Sequence, residues 1–300
     1  MIVITTPTGL IGRQVLDNLL SCGQDLRVIA RDPSALTAGQ RGRVEIVEGS
    51  HNDASVVDKA FAGADAVFWL TPPGPRAPSV DAAFVGFTRP AAEAFTTHRV
   101  GRVVGVSALG RGTPWAARAG YVTGSLAMDD LIASSGVAYR ALTNPSFMDN
   151  TMRQTQSIVD RGVFFSPIAA ERKLPTVATR DVAATAARLL LDDSWNGVGE
   201  VPLLGPEDLS FTDMAEIISE VLDNEIRFQQ TTFGAYKDRF LGFGMSEAMA
   251  QGMTDMAWAK NEGLDNAVER TAENSTPTSF RQWCEDVLRP PVLAQTRASR

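Results

Sequence analysis

The chain has 300 residues, 44% hydrophobic and 21% charged, which is enough to bury the core of one large domain or two small ones. Its net charge is −7 and no Lys/Arg block exceeds two residues, which argues against a nucleic-acid footprint. Two cysteines (Cys22, Cys284) and two histidines (His51, His98) give no CxxC pair and no zinc-ligand spacing, so reduced thiols and no metal are expected. The first apolar run, IVI, is a strand's length with no basic region ahead of it, and no stretch approaches the ~20 apolar residues of a membrane span. A soluble cytoplasmic protein is expected, with neither nucleic acid nor membrane as a partner.

Strands and helices alternate through the first half. MIVIT reads as a strand, and GLIGRQVLDNLLSC as a helix whose apolar face is Ile11, Val15 and Leu19 with Leu16 and Leu20. LRVIA is a second strand, RDPSAL a turn, VEIVEG a third strand and ASVVDKAFAGA a helix. DAVFWLT is a fourth strand, followed by the breaker run PPGPRAP. FVGFTRPAAEAFTTHRV has helical spacing interrupted by Pro90. RVVGVSA is a fifth strand, AMDDLIASSG a helix ended by Gly136, and VAYRALTN a sixth strand. The strands are continuously apolar, as expected when helices cover both sheet faces. Repeated strand–helix units predict an α/β fold with a doubly wound parallel sheet, its ligand at the C-terminal strand ends. Residues 1–150 are read as this domain, with elements from about 174–205 joining it. Residues 151–290 are read as a smaller mixed α/β domain on the substrate side, and 291–300 as a tail. Within that half, ATRDVAATAARLLLDD and TPTSFRQWCEDVL are the clearest helices.

The stretch Thr5–Gly12, TTPTGLIG, resembles a phosphate-binding turn whose first glycine is replaced by Thr6. A strand, a glycine-containing turn and a helix N-terminus together present free N–H groups and a favourable dipole to an anion. Gly9 would let a pyrophosphate approach, and Gly12 would let the helix pack on the strand. Threonine tolerates positive φ poorly, so the turn is expected to be rebuilt with negative φ at Thr6. Pro7 fixes its own φ and lacks a donor. The anion nest is then expected on Thr8, Gly9, Leu10, Ile11 and Gly12. An ordinary strand–helix turn is the alternative.

TTPTGLIGRQVLDNLL, VIARDPSAL and VEIVEGSHNDASVVDKAFAGADAVFWLTPP together resemble the NmrA-like family of atypical short-chain dehydrogenases/reductases. SSGVAYRALTNPSFMDN, PTVATRDVAATAARLLLDD, LLGPEDLSFTDMAEIISEVL and TPTSFRQWCEDVL extend the resemblance over nearly the whole chain. The resemblance implies a Rossmann-like domain that binds NADP or NAD and a smaller C-terminal domain.

The dinucleotide choice turns on Arg31, nineteen residues past Gly12, where an NAD-binding fold usually has an acid. A guanidinium there suits a 2′-phosphate, so NADP(H) is favoured over NAD(H). Asp32 could instead take the ribose hydroxyls, or cap the turn at Pro33. Ser50 stands where the family has an acid, and Ser50 or His51 could reach the adenine. Capping of the following helix is the other reading of His51. Topology places Leu70, Thr71 and Pro72 along the cofactor ribose, and Ser107 and Ala108 near the nicotinamide. Asn144, Pro145, Ser146 and Phe147 are expected to line the nicotinamide pocket. His98, near a helix end, is read as structural.

Typical members of the wider group use Tyr-x-x-x-Lys, in which the lysine lowers the phenol pKa. Here YVTGS has Tyr121 with Ser125 in the lysine place. The candidate catalytic residues are therefore Tyr121, Ser107 and, as another proton donor, Lys173, although a packing role for Tyr121 and a plain surface charge for Lys173 are the simpler readings. Met and Phe between residues 233 and 256 suit an apolar, adaptable pocket or plain core. One functional reading is an NADP(H)-dependent reductase of a small apolar carbonyl, enone or quinone-like molecule that works without the pair. The others are a non-catalytic NADP(H)-binding redox sensor and a non-redox isomerase. A homodimer or a regulatory protein partner stays open.

Overall fold

The computed structural model describes residues 1–72 and 74–298. In chain order the first elements are β1 (Ile2–Thr5), α1 (Leu10–Ser21), β2 (Leu26–Ala30), α2 (Ala38–Arg41), β3 (Glu45–Glu48) and α3 (Ala54–Phe61). They are followed by β4 (Ala66–Trp69), α4 (Phe87–Thr97), β5 (Arg102–Ala108), α5 (Tyr121–Ser134), β6 (Ala138–Asn144), β7 (Ser146–Phe147) and α6 (Thr155–Arg161). Then come β8 (Val163–Ser166), β9 (Leu174–Val177), α7 (Thr179–Leu191), β10 (Val198–Pro202), β11 (Asp208–Leu209), α8 (Phe211–Leu222) and β12 (Arg227–Gln230). The chain closes with α9 (Phe233–Gly242), α10 (Glu247–Asn261), α11 (Phe280–Trp283) and α12 (Arg289–Ala298).

The chain divides into two compact units. The first holds Met1–Ala108, Gly124–Thr143 and Val182–Val201. The second holds Leu109–Thr123, Asn144–Asp181 and the described residues from Pro202 onward. Leu109–Thr123, assigned by sequence to the first domain, thus belongs to the second unit.

The first unit is built on a seven-stranded sheet in the order β10-β6-β5-β4-β1-β2-β3. The pairs β3–β2, β2–β1, β1–β4 and β4–β5 are all parallel. This is the expected Rossmann-like α/β fold, with the strand order reversing between β1 and β4. Every residue of β1 and β4 is buried, which explains their unbroken apolar sequences. Phe61 and Phe95 stack at 5.0 Å in its core, with Trp69 edge-on to Phe95. The Thr5 hydroxyl stitches two strands, donating to Phe68 O at 2.9 Å and accepting from Leu70 N–H at 3.0 Å. Pro90 does not break its helix: a π turn over Ala82–Gly86 runs straight into α4, shifting the hydrogen-bond register ahead of the proline ring.

The second unit contains a three-stranded sheet, β11-β9-β7, and a parallel pair, β12–β8. Its core gathers Phe164, Ile218, Phe280, Trp283 and Leu288. The residues read as a tail instead form α12 as far as Ala298. Pro290 and Pro291 do not open a helix: α11 runs through a π turn over Cys284–Leu288 straight into α12, which shifts the hydrogen-bond register ahead of the prolines as it does ahead of Pro90, and Val292 is buried in the core. Ser299 and Arg300 of that expected tail, and Pro73 of the breaker run, lie outside the described residues. No helix among the described residues is long and apolar enough to cross a membrane.

Candidate active site

The turn after β1 keeps a left-handed residue where the sequence reading expected none. Thr6 has φ +51°, so the expected rebuilding with negative φ is not what forms. Its carbonyl faces inward, accepting from Gly9 N–H at 2.9 Å, and lies against the α carbon of Gly12. A Cβ on Gly12 would fall well inside contact distance of that carbonyl. Tertiary contact therefore outweighs the preference of a β-branched residue, which pays about 1–2 kcal/mol in this region.

Gly9 is the N-cap of α1 but supplies no side-chain acceptor, and the first turn carries no acid. The opening N–H groups of a helix have no intrahelical partner, so those of Leu10, Ile11 and Gly12 face outward with a positive dipole end. Leu10 is half exposed, and the Thr6 Oγ1 is shielded from solvent without a hydrogen-bond partner. An uncapped helix start, a glycine cradle and an unsatisfied hydroxyl fit the phosphates of a dinucleotide. Thr8 sits exposed in the same turn.

At the end of β2 the two competing residues separate cleanly. Asp32 caps a short 3-10 turn, its Oδ1 accepting from Ser34 N–H at 2.9 Å and from the Ser34 hydroxyl at 2.6 Å. These bonds hold its carboxyl below the usual carboxylate range. Arg31 is exposed, and among the described residues no carboxylate pairs with it. At the end of β3, Ser50 is half-buried, whereas His51 is buried edge-on between Trp69 and Phe87. His51 does not cap α3: Asp53 does, accepting from Ser55 N–H at 2.8 Å. The His51 Nε2–H instead donates to Leu70 O at 3.0 Å, fixing the strand end from which Leu70, Thr71 and Pro72 depart. Burial, and the Arg31 charge to a lesser degree, push its pKa down to about 4. Thr71 Oγ1 lies 3.0 Å from Met128 Sδ. His98 ends α4 and pairs with Asp58 at 2.7 Å, the structural role expected.

Ser107, at the end of β5, is buried and already engaged. Its hydroxyl donates to Asp129 Oδ2 and lies 3.3 Å from Ser125 Oγ. The second oxygen of Asp129 accepts from Tyr139 Oη at 2.6 Å. Sequence reasoning missed Asp129 and Tyr139. Two signals were available: Asp129 lies one helical turn past Ser125, and Gly105 interrupts a β-branched strand. The Gly105 position is filled by the Tyr139 ring, which a Cβ would strike.

In the second unit, Gly120 has φ +55° and its α carbon packs against the backbone of Gly252 in α10, which sets where α5 starts. Tyr121 is the first residue of α5, and burial pushes its phenol up to about 12. The charge that acts against this is Arg153, on the 3-10 turn Met148–Gln154; Tyr236 lies within electrostatic reach as well. Lys173 is not that neighbour: it is 66% exposed and stands 3.7 Å from Asp213. Neither Arg153 nor Tyr236 was singled out from sequence. Asn144 is buried, its carbonyl accepting from Leu109 N–H at 3.1 Å. Pro145 follows it, and Ser146 and Phe147 form β7 beside Thr176 and Val177 of β9. A cavity of about 540 Å³ in this unit is lined by residues of α8 and β12, among them Thr212, Glu216, Ser219 and Arg227; none of the candidate residues borders it. Among the described residues no group of three His, Cys, Asp or Glu side chains could hold a metal ion.

Two outcomes follow from the strained turn and the buried imidazole. Thr6→Gly relieves the left-handed strain and removes the unsatisfied hydroxyl. It is expected to raise unfolding stability by about 0.5–1 kcal/mol, net of the greater chain entropy of glycine. A lowered urea midpoint would refute strain at Thr6. For His51 the folded pKa, about 4, lies below the unfolded 6.5. Its contribution is therefore complete above about pH 6.5 and is lost as pH falls toward 4, a change of about 2–3 kcal/mol. Urea unfolding at pH 7.5 and 4.5 should show wild type losing that much more than His51→Gln; equal losses would contradict a buried neutral imidazole.

Residues 7–193, more than half of the chain, match the NAD(P)H-binding family. The chain is similar to a (4-alkanoyl-5-oxo-2,5-dihydrofuran-3-yl)methyl phosphate reductase of Streptomyces griseus, 28% identical over 289 residues, 94% of this chain and 96% of that one. It is also similar to an NAD(P)H azoreductase of Xenophilus azovorans, 25% identical over 256 residues, 85% and 86% of the two chains. Among solved structures, the NADPH-dependent quinone oxidoreductase of Escherichia coli, complexed with NADPH, superimposes with a TM-score of 0.79 at 19% identity, covering 96% of this chain and all of that one. The chain belongs to the NAD(P)H-binding family, and its Rossmann-like fold is that of the NmrA-like, atypical short-chain dehydrogenase/reductase group.

Proposed function

We propose that the protein is a cytoplasmic, NADPH-dependent reductase of a small, apolar, conjugated acceptor such as an enone or a quinone. The observation that carries the cofactor choice is the division of roles at the end of β2. Asp32 Oδ1 accepts both hydrogen bonds of the Ser34 turn, while Arg31, exposed beside it, presents a guanidinium suited to a 2′-phosphate. The reductase relatives support the reaction class: one acts on a dihydrofuranyl methyl phosphate, another is an azoreductase.

When bound, NADPH supplies the hydride. The residues of this chain bind and orient. The N-terminal N–H groups of α1 would hold the pyrophosphate, with the Thr6 carbonyl keeping Gly12 close enough for the helix to aim them. His51 locks the Leu70 carbonyl, and so the course of the chain along the ribose. A Tyr121 phenol pushed up to about 12 stays protonated at neutral pH. It therefore serves as a hydrogen-bond donor to the acceptor oxygen rather than as an acid that readily releases its proton. Arg153 is the nearby charge that steadies an oxygen becoming negative when hydride arrives at carbon. Lys173, exposed and facing Asp213, is left out of this role.

A non-catalytic NADP(H) sensor is the second reading, favoured by Ser125 in the place of the family's lysine. Titration of the purified protein with NADPH and NADH, followed by nicotinamide fluorescence, comes first. Arg31→Glu is expected to weaken NADPH by about 10- to 100-fold and NADH by less than about twofold. Equal losses for both nucleotides would remove the NADP assignment. NADPH oxidation is then assayed with quinones and enones. Turnover lowered about tenfold or more by Tyr121→Phe supports the reductase, whereas tight binding with no turnover on any acceptor selects the sensor.

A further inference from the structure

Beneath the C-terminal end of β5 the first unit buries four polar side chains in contact: Ser107, Ser125, Asp129 and Tyr139. The carboxylate is the centre. Ser107 donates to one of its oxygens and Tyr139 donates to the other, at 2.6 Å. Two hydroxyl donors, one on each oxygen, match an ionised carboxylate, which only accepts. The sheet is built around this arrangement, because Gly105 lacks the Cβ that would collide with the Tyr139 ring. In typical relatives a lysine places a cation one turn after the tyrosine. Here that place is Ser125, and one turn further a carboxylate is buried instead. The sign of the local charge is inverted.

The place of this charge in the sheet gives it a function. A dinucleotide lies across the C-terminal strand ends, its pyrophosphate at the N-terminus of α1 and its adenosine toward the end of β2. The strand order β5-β4-β1-β2 then carries its other half toward β4 and β5, where Ser107 stands. Because the Ser107 hydroxyl donates its hydrogen bond to Asp129, its oxygen can act toward a ligand only as an acceptor, which suits an amide N–H. We propose that Asp129 is a positioning residue that acts through Ser107, and that its buried negative charge makes the site favour the oxidised, cationic nicotinamide over the reduced, neutral one. The proposal rests on the nucleotide-binding reading above. A site with this bias makes the bound reduced nucleotide a stronger hydride donor, since the product of donation is the form the charge prefers.

The experiment measures dissociation constants of NADP⁺ and NADPH separately by calorimetry, and reads their ratio. Asp129→Asn keeps the shape and removes the charge. It should shift the ratio toward NADPH by about three- to tenfold, as expected for one charge acting over several ångströms in a partly screened site. Asp129→Ser, smaller and able to pair with Tyr139, provides the same test if Asp129→Asn does not fold. Tyr139→Phe disturbs the same packing but keeps the charge, and should hold the wild-type ratio. An unchanged ratio in either folded Asp129 variant overturns the proposal while nucleotide binding stands. An equal shift in Tyr139→Phe also overturns it, because packing rather than charge would then be the cause. A wild-type protein that binds neither nucleotide overturns this inference and the reductase reading together.

Discussion

The close approach of the Thr6 carbonyl to the α carbon of Gly12 is the contact on which the cofactor half depends. It draws α1 down onto the end of β1, and with it the direction of the free N–H groups that begin the helix. Nothing larger than hydrogen fits at Gly12, and the carbonyl reaches that point with Thr6 in the left-handed region. A glycine at position 6 would adopt that conformation freely. Threonine adopts it at an energetic cost that the surrounding packing must offset. The backbone path of the turn is thus kept although its usual residue is lost.

A second substitution of residue type occurs at Ser125 and is accompanied by a buried carboxylate. A lysine-bearing site lowers a phenol's pKa with a cation. This chain leaves the Tyr121 phenol raised by burial, and places its carboxylate behind Ser107. These two changes are chemically consistent with each other. A phenol that is a weak acid suits acceptors that take hydride at carbon and need only a hydrogen bond at oxygen. A buried negative charge on the cofactor side, acting as proposed above, would favour the cationic product of hydride release. Restoring the lysine alone would place a cation against Asp129 and satisfy neither arrangement.

How much of this is legible in sequence depends on how local each cause is. Strands β1 and β4 announce themselves through unbroken apolar runs because both sheet faces are buried there, the edge strand β3 alternates with exposed glutamates, and the helices between them show through their spacing. Gly12 and Arg31 follow from counting along a strand–turn–helix unit. The conformation of Thr6 does not, since it is set by a carbonyl-to-glycine contact that outweighs the residue's own preference. The hydrogen bond of His51 is not legible for a similar reason. Asp53 holds the helix cap, and what fixes His51 is a carbonyl nineteen residues away, flanked by aromatic rings from β4 and α4. The helix from Arg289 onward is hidden because two prolines read as breakers, whereas the π turn over Cys284–Leu288 carries the helix into them.

Asp129 is the instructive omission. An acid within a buried helix face breaks the apolar pattern, and such breaks are tolerated only where every polar atom finds a partner. The partners here come from three elements: Ser107 ends β5, Ser125 lies one turn back on α5, and Tyr139 is on β6. Each residue alone is unremarkable, and Gly105 looks like a weak strand former. Together they explain one another, because the glycine makes room for the phenol, the phenol and serine satisfy the carboxylate, and the carboxylate fixes the serine's proton. A network that needs four residues and a missing Cβ is hard to keep for packing alone, since an apolar set of the same volume would fill the space without the desolvation of a charge. Its placement under a strand end, where this fold binds its ligand, supplies the reason to keep it.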